Sequence, residues 1–218
     1  MRSLGHAIRP WAYLSWPNRL TMLRLLLVAP FVVLMKHQQV RPPLRHLALG
    51  IFLFMALSDL VDGFLARRLG SSGRLGAILD PLADKALIVC AAILLSLEHS
   101  HVRGARLPDW VVVMIVGKDL WVVVGFIVVF LLTGKVRVMP TLPGKMCTCG
   151  QLVMVTAVLL SPDLNALGPP IGTWLARGLW WSVGGLCLLA AVSYTRLGLA
   201  FVAEADQNRH NDKASRAA

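Results

Sequence analysis

Six apolar runs divide the chain, separated by short segments rich in basic, proline or glycine residues. They cover positions 20–35, 47–65, 76–97, 110–132, 146–160 and 173–194. Several approach the ~20 residues that a helix needs to cross the hydrocarbon core of a bilayer. The pattern therefore predicts an all-α integral membrane protein with six transmembrane helices. Pro30 lies inside the first run and is expected to bend it. Ahead of that run, Arg2, Arg9, Trp11, Tyr13 and Trp16 suit a short interfacial helix lying on the bilayer. The connection after the first run contains Pro42-Pro43, and the one after the fifth, 161–172, contains Pro162, Gly168, Pro169 and Pro170. The expected organisation is an N-terminal interfacial segment at 1–17, one membrane domain at 18–202 and a polar tail at 203–218, disordered beyond Asp206.

Composition agrees with this pattern. Of 218 residues, 56% are hydrophobic and 15% charged, against about 25% charged in soluble domains. The net charge is +11, with 22 Lys and Arg. These cations cluster between apolar runs rather than interleaving with aromatics on a soluble module. That argues against a nucleic-acid partner and for membrane topology with anionic lipid or phosphate nearby. The N-terminus through Arg24, segments 66–75 and 133–145, and the chain after Tyr194 hold 14 Lys and Arg; the alternate connections hold 6. The bias places both termini, and the ends of the second and third helices that meet at 66–75, on the cytoplasmic side. No small-residue cleavage site follows the first run, which is expected to be retained. The chain shows no internal repeat of the kind that marks many transporters. Cys90 and Cys187 sit in apolar runs as packing residues. Cys147-x-Cys149 reads as small residues at a helix start, and His99 with His101 as part of a solvated loop.

One stretch departs from the apolar pattern. Asp59, Asp62, Asp80 and Asp84 are four of the 11 acidic residues and lie between two apolar runs. At the centre of a spanning helix each would cost about 2.5–3.5 kcal/mol. Asp59 and Asp62 are spaced i, i+3, and Asp80 and Asp84 i, i+4, so each pair shares one face of its helix. Two helices meeting there would converge four carboxylates, which repel unless cations separate them. Oxygen-only donors suit Mg²⁺, Mn²⁺ or Ca²⁺. Structural ion pairing with Arg67 is the plainer reading of the first pair taken alone.

The spacing Asp59-x2-Asp62-Gly63-x2-Ala66-Arg67-x8-Gly76-x3-Asp80-x3-Asp84 resembles, in all eight fixed positions, the signature of the CDP-alcohol phosphatidyltransferase family. Asn18-x2-Thr21-x2-Arg24, Asp80-Pro81-x-Ala83-Asp84-Lys85 and Gly144-Lys145-x2-Thr148-x2-Gln151 are similar to further segments of its bacterial members, closest to phosphatidylglycerophosphate and cardiolipin synthases. The resemblance extends from about position 18 to 202. It implies transfer of the phosphatidyl group of CDP-diacylglycerol to an alcohol with release of CMP. It also implies two divalent cations, Mg²⁺ or Mn²⁺, held by Asp59, Asp62, Asp80 and Asp84. Asp84 would in addition be the catalytic base. Gly63 and Ala66 would form the floor for the cytidine diphosphate, Arg67 would face phosphate and Thr21 would be a hydroxyl donor to the nucleotide. A homodimer in the bacterial inner membrane is also implied.

The acceptor is left open between glycerol 3-phosphate, the leading expectation, and phosphatidylglycerol, which would make cardiolipin. Arg74, Lys118, Arg137 and Lys145 are candidates for binding an acceptor phosphate. Ordinary positive-inside charge explains Arg74, Arg137 and Lys145 equally well, and an internal salt bridge to Asp119 explains Lys118. Two other classes can be weighed. Intramembrane prenyltransferases carry two separated acidic clusters, whereas this chain holds its four acids within 26 residues. A cation channel or transporter would use the acids as an ion path and release no CMP.

Overall fold

The computed structural model describes the backbone of residues 16–69, 76–133, 141–168 and 170–217. Side chains are described for these residues except 16–21, 59–69, 76–84, 205 and 208–217. Six helices follow in order: α1 (Trp16–His37), α2 (Pro43–Leu69), α3 (Gly76–Ser96), α4 (Asp109–Thr133), α5 (Leu142–Leu167) and α6 (Ile171–Ala217). Among the described residues there is no strand. The all-α expectation holds. The helices form two compact units, Met1–Arg106 and Leu107–Ala218.

In the first unit α1 packs against both α2 and α3. The five-residue α1–α2 connection makes these two helices antiparallel, and 70–75 returns the chain into α3. Buried residues recur at helical spacing: Phe31 and Met35 on α1, Phe52 and Met55 on α2, and Leu87, Ile88, Ala91 and Leu95 on α3. Phe31 and Phe52 pack with ring centroids 6.0 Å apart. The end of the unit where α1 stops and α2 begins is tied to the loop after α3. Gln38 Nε2 donates to the Ser100 carbonyl at 2.6 Å, and Gln39 Nε2 to the Glu98 and His101 carbonyls at 3.1 and 3.2 Å. Arg106 Nε donates to the Ser96 carbonyl at 2.8 Å. Gly104, at φ 82°, makes the turn in this loop that an L side chain would strain.

In the second unit α6 packs on both α4 and α5. Thr141 caps α5: its hydroxyl accepts from the Gly144 N–H at 3.3 Å, with Pro143 in the first turn. Cys147, Gln151, Met154, Val155 and Val158 form the buried stripe of α5, and Ala176, Val183, Cys187 and Ala190 that of α6. Small residues permit the close approach. A Cβ at Gly172 would collide with the Ser161 backbone, and one at Gly184 would lie 2.7 Å from the Trp110 ring. Asn165 closes the α5–α6 turn, donating to the Thr173 hydroxyl at 3.0 Å and accepting from the Thr173 N–H at 3.2 Å.

Three helical segments are long and apolar enough to cross a membrane: Asp109–Thr133, Leu142–Leu167 and Ile171–Glu204. Their outward faces are apolar, with Leu120 62%, Leu131 75% and Trp181 72% exposed, as expected of surface in contact with lipid rather than water. The chain is an integral membrane protein. Among the described residues α2 and α3 contribute only the shorter apolar stretches Pro43–Ser58 and Lys85–Ser96.

Several boundaries differ from the sequence expectation. α5 runs through Pro162 to Leu167, so that proline lies within a helix rather than in the following loop. Lys145 falls in the first turn of α5 rather than in the preceding connection. α6 is helical through Ala217, where a disordered tail was expected; after Gly198 it has no Gly or Pro and is rich in Ala, Glu, Gln, Lys and Arg, all compatible with a helix. The interfacial helix expected at 1–17 falls almost wholly outside the described residues.

Candidate active site

Asp59 and Asp62 are on α2 and Asp80 and Asp84 on α3; their side chains, like that of Thr21 on α1, lie outside the described residues. By register alone, positions 59 and 62 follow the buried Phe52 and Met55 at steps of four and three, and 84 and 80 precede the buried Ile88 at steps of four. Position 21 precedes the buried Arg24 by three on α1.

Helical rise gives the depth of the acidic positions. Measured from the ends of α2 and α3 that 70–75 joins, positions 59 and 62 lie about 15 and 10 Å in, and 80 and 84 about 6 and 12 Å in, at ~1.5 Å per residue. All four fall within one band about 9 Å deep on consecutive antiparallel helices. A donor set of four carboxylates in such a band fits hard divalent cations, which take oxygen ligands. It does not fit zinc of the structural kind, which takes thiolate and imidazole.

The remaining predicted residues fall as follows. Gly63, Ala66 and Arg67 occupy the last turns of α2, after the acidic pair, and Thr21 lies in the second turn of α1. Arg74 and Arg137 lie outside the described residues. Lys145 is exposed. Lys118 is buried, and its ammonium donates to Asp119 Oδ1 at 2.9 Å, with the two side chains 7% and 15% exposed. Of the two readings for Lys118, the geometry supplies the internal ion pair.

The second unit also contains a polar cluster that sequence reading divided into separate parts. Cys147 Sγ on α5 and Cys187 Sγ on α6 lie 3.3 Å apart as free thiols. Gln151 Nε2 donates to both, at 3.5 and 3.6 Å. Of the two cysteines expected to serve packing, Cys187 is buried and Cys90 half-buried; Cys147 and Cys149 lie in the first turns of α5, the first buried and the second exposed. His101 Nδ1 lies 2.8 Å from the Glu98 carbonyl oxygen, within the loop network rather than paired with His99. An apolar recess of about 370 Å³ lies between α4 and α6, bordered by Trp121, Phe126, Tyr194 and Phe201. Trp121 Nε1 donates to the Thr195 hydroxyl beside it at 3.0 Å. The recess has no converging ionisable groups and offers no chemistry comparable to the acidic band.

Arg24 reads in the sequence as part of the Asn18-x2-Thr21-x2-Arg24 segment and as a cytoplasmic cation, with no role given to it; it is only 2% exposed. The signal available was its spacing of three from Thr21 and seven from Phe31, which puts it on the inward stripe.

The profile of the CDP-alcohol phosphatidyltransferase family matches residues 14–201. Three relatives carry the name CDP-diacylglycerol--glycerol-3-phosphate 3-phosphatidyltransferase. That of Bacillus subtilis (strain 168) is 34% identical over 154 residues, covering 66% of this chain and 76% of the relative. That of Pseudomonas fluorescens is 32% identical over 183 residues, covering 83% and 88%. That of Aquifex aeolicus (strain VF5) is 34% identical over 133 residues, covering 61% and 68%.

Proposed function

The chain belongs to the CDP-alcohol phosphatidyltransferase family, and on that premise we propose that it transfers the phosphatidyl group of CDP-diacylglycerol to a hydroxyl of glycerol 3-phosphate, releasing CMP. The observation that carries this reading is the family match over residues 14–201, within which Asp59 and Asp62 fall on α2 and Asp80 and Asp84 on α3 at spacings that put each pair on one helix face. The activity named for relatives covering 76% and 88% of their length supports glycerol 3-phosphate over phosphatidylglycerol as acceptor.

In this mechanism Asp59, Asp62, Asp80 and Asp84 hold two divalent cations, Mg²⁺ or Mn²⁺. Bound there, such cations neutralise the diphosphate and the charge that develops on departing CMP. Gly63 and Ala66 keep α2 free of bulk where the cytidine diphosphate lies. Arg67 and Thr21 supply donors to its phosphate and nucleotide. Asp84 orients the acceptor hydroxyl and takes its proton as the new oxygen–phosphorus bond forms and the bond to CMP breaks. Its contribution comes from position, because the reacting atoms must sit within hydrogen-bond reach. With Lys118 engaged by Asp119, Arg74, Arg137 and Lys145 are the cations proposed for the acceptor phosphate.

The topology that goes with this reading has six spans, both termini and the acidic band on the cytoplasmic side of the bacterial inner membrane, and a homodimer as the working assembly. The test is purified protein with CDP-diacylglycerol, Mg²⁺ and, separately, glycerol 3-phosphate, phosphatidylglycerol, inositol phosphate and serine, read by CMP release and lipid mass spectrometry. Phosphatidylglycerol phosphate is the expected product. Absence of CMP with every acceptor would remove the reading, and cardiolipin from phosphatidylglycerol would move the acceptor assignment.

A further inference from the structure

We propose that Arg24 is a positioning residue for the acidic band: an internal cation on α1 that holds the carboxylates of α2 in place before any metal binds. The proposal rests on the reaction proposed above.

Arg24 is 2% exposed. Removing a guanidinium from water costs several kcal/mol unless anionic or polar partners replace the solvent. Its immediate enclosure is mostly apolar: Leu23 and Leu27 on its own helix, Phe54, Met55 and Ser58 on α2. Ser58 directs its hydroxyl to its own helix, donating to the Phe54 carbonyl at 2.6 Å. Arg24 is not without a partner. By helical register, position 59 lies one turn beyond Met55 and position 62 one turn beyond Ser58. The cation thus lies beside the last turn of α2 whose side chains are described, and the next turn in the sequence carries Asp59 and Asp62.

Arginine suits this place better than lysine. Its planar fork binds carboxylate through two parallel hydrogen bonds and fixes orientation as well as charge. In the metal-free protein four carboxylates in one band repel one another, and a fixed cation beside them reduces that repulsion. With metal present, the same fork keeps the ligating oxygens aimed. Loss of such an outer partner typically costs about 10–100-fold in metal affinity or activity.

The test compares the full-length wild-type protein, R24Q and R24K in detergent, by thermal unfolding with and without Mn²⁺ alone and by CMP release. R24Q is expected to melt lower than wild type without metal and to gain more from Mn²⁺, because the metal then supplies the missing positive charge. R24K is expected to lie between the two. Turnover of R24Q is expected to fall roughly 10–100-fold. A purely packing role predicts a lower melting temperature with the wild-type Mn²⁺ gain, and that result overturns the proposal, as does wild-type turnover in R24Q. Should R24Q fail to fold, R24K carries the test: lost turnover at an unchanged melting temperature supports positioning, and full turnover overturns it. If the wild-type protein itself releases no CMP, the proposed reaction falls, while the Mn²⁺ gain of R24Q against wild type still decides the role of Arg24.

Discussion

In the unit of α1–α3 the buried helix positions among the described residues are apolar apart from Arg24 and Ser96, and the sequence adds four aspartates on α2 and α3. In the unit of α4–α6 they are mostly apolar, with Lys118 and Asp119 as a buried ion pair among the described residues. The difference shows in what each unit does with hydrophobicity. The second unit provides three segments long enough to cross a membrane. Among the described residues α2 and α3 contribute the shorter apolar stretches Pro43–Ser58 and Lys85–Ser96, and the sequence places Asp59, Asp62, Asp80 and Asp84 on the same two helices. Hydropathy alone treats all six helices as one kind; these four acids distinguish α2 and α3 from the rest.

The two buried cations sharpen the contrast. Lys118 meets an acid that is its immediate neighbour in the chain, so that pair is built within one helix. Arg24 is enclosed by residues of another helix, so its surroundings exist only when α1 and α2 are packed. One pair is local to its helix; the other cation owes its burial to the packing of two helices.

The largest expected effect tests whether the acidic band is chemical. Asp84→Asn keeps the size of the side chain and removes its capacity to accept a proton; CMP release should fall about 10²–10⁴-fold with the melting temperature retained. Full activity in that variant would exclude the base assignment and leave the band as a binding element only.

The next tests whether the pair in the second unit is structural. Lys118→Met removes a buried cation from beside Asp119 and should cost about 3–5 kcal/mol of stability, read by unfolding in detergent. The double variant K118M/D119N should lose clearly less. Equal losses in the single and double variants would show that the two side chains are not coupled.

Gly172→Val probes the close approach in the α5–α6 hairpin. Its side chain would collide with the Ser161 backbone, and a loss of about 1–3 kcal/mol is expected from overpacking. The specific activity of the folded fraction should not change. A variant as stable as wild type would mean that the hairpin opens without penalty.

The smallest effect concerns the acceptor. Lys145→Ala should raise the KM for glycerol 3-phosphate about tenfold, the equivalent of ~1.4 kcal/mol, with the KM for CDP-diacylglycerol unchanged. An unchanged acceptor KM would return Lys145 to ordinary positive-inside charge.

What was legible from the sequence was local. The spacing of Asp59, Asp62, Asp80 and Asp84 puts each pair on one face because helical register converts spacing into faces, whatever packs against them; the reaction class came from the resemblance of the whole stretch to the family signature. The apolar runs located all six helices for the same reason. The ends of helices were less legible. Pro162 reads as a breaker, yet α5 continues past it, where packing against α6 and the Asn165–Thr173 bonds support the helix to Leu167. Burial was legible for Lys118, which reads as one side of an internal salt bridge with its neighbour Asp119, but not for Arg24. Arg24 and Lys145 look alike in sequence, one basic residue near a helix start in each case; the first is enclosed and the second exposed. Cys147 and Cys187 stand 40 residues apart in the chain and 3.3 Å apart in space. The sequence by itself determined the acidic pattern, the helix count and the family. Only the tertiary structure decided that Arg24 is buried and beside what, because that burial depends on partners brought from distant segments, and no local spacing records them.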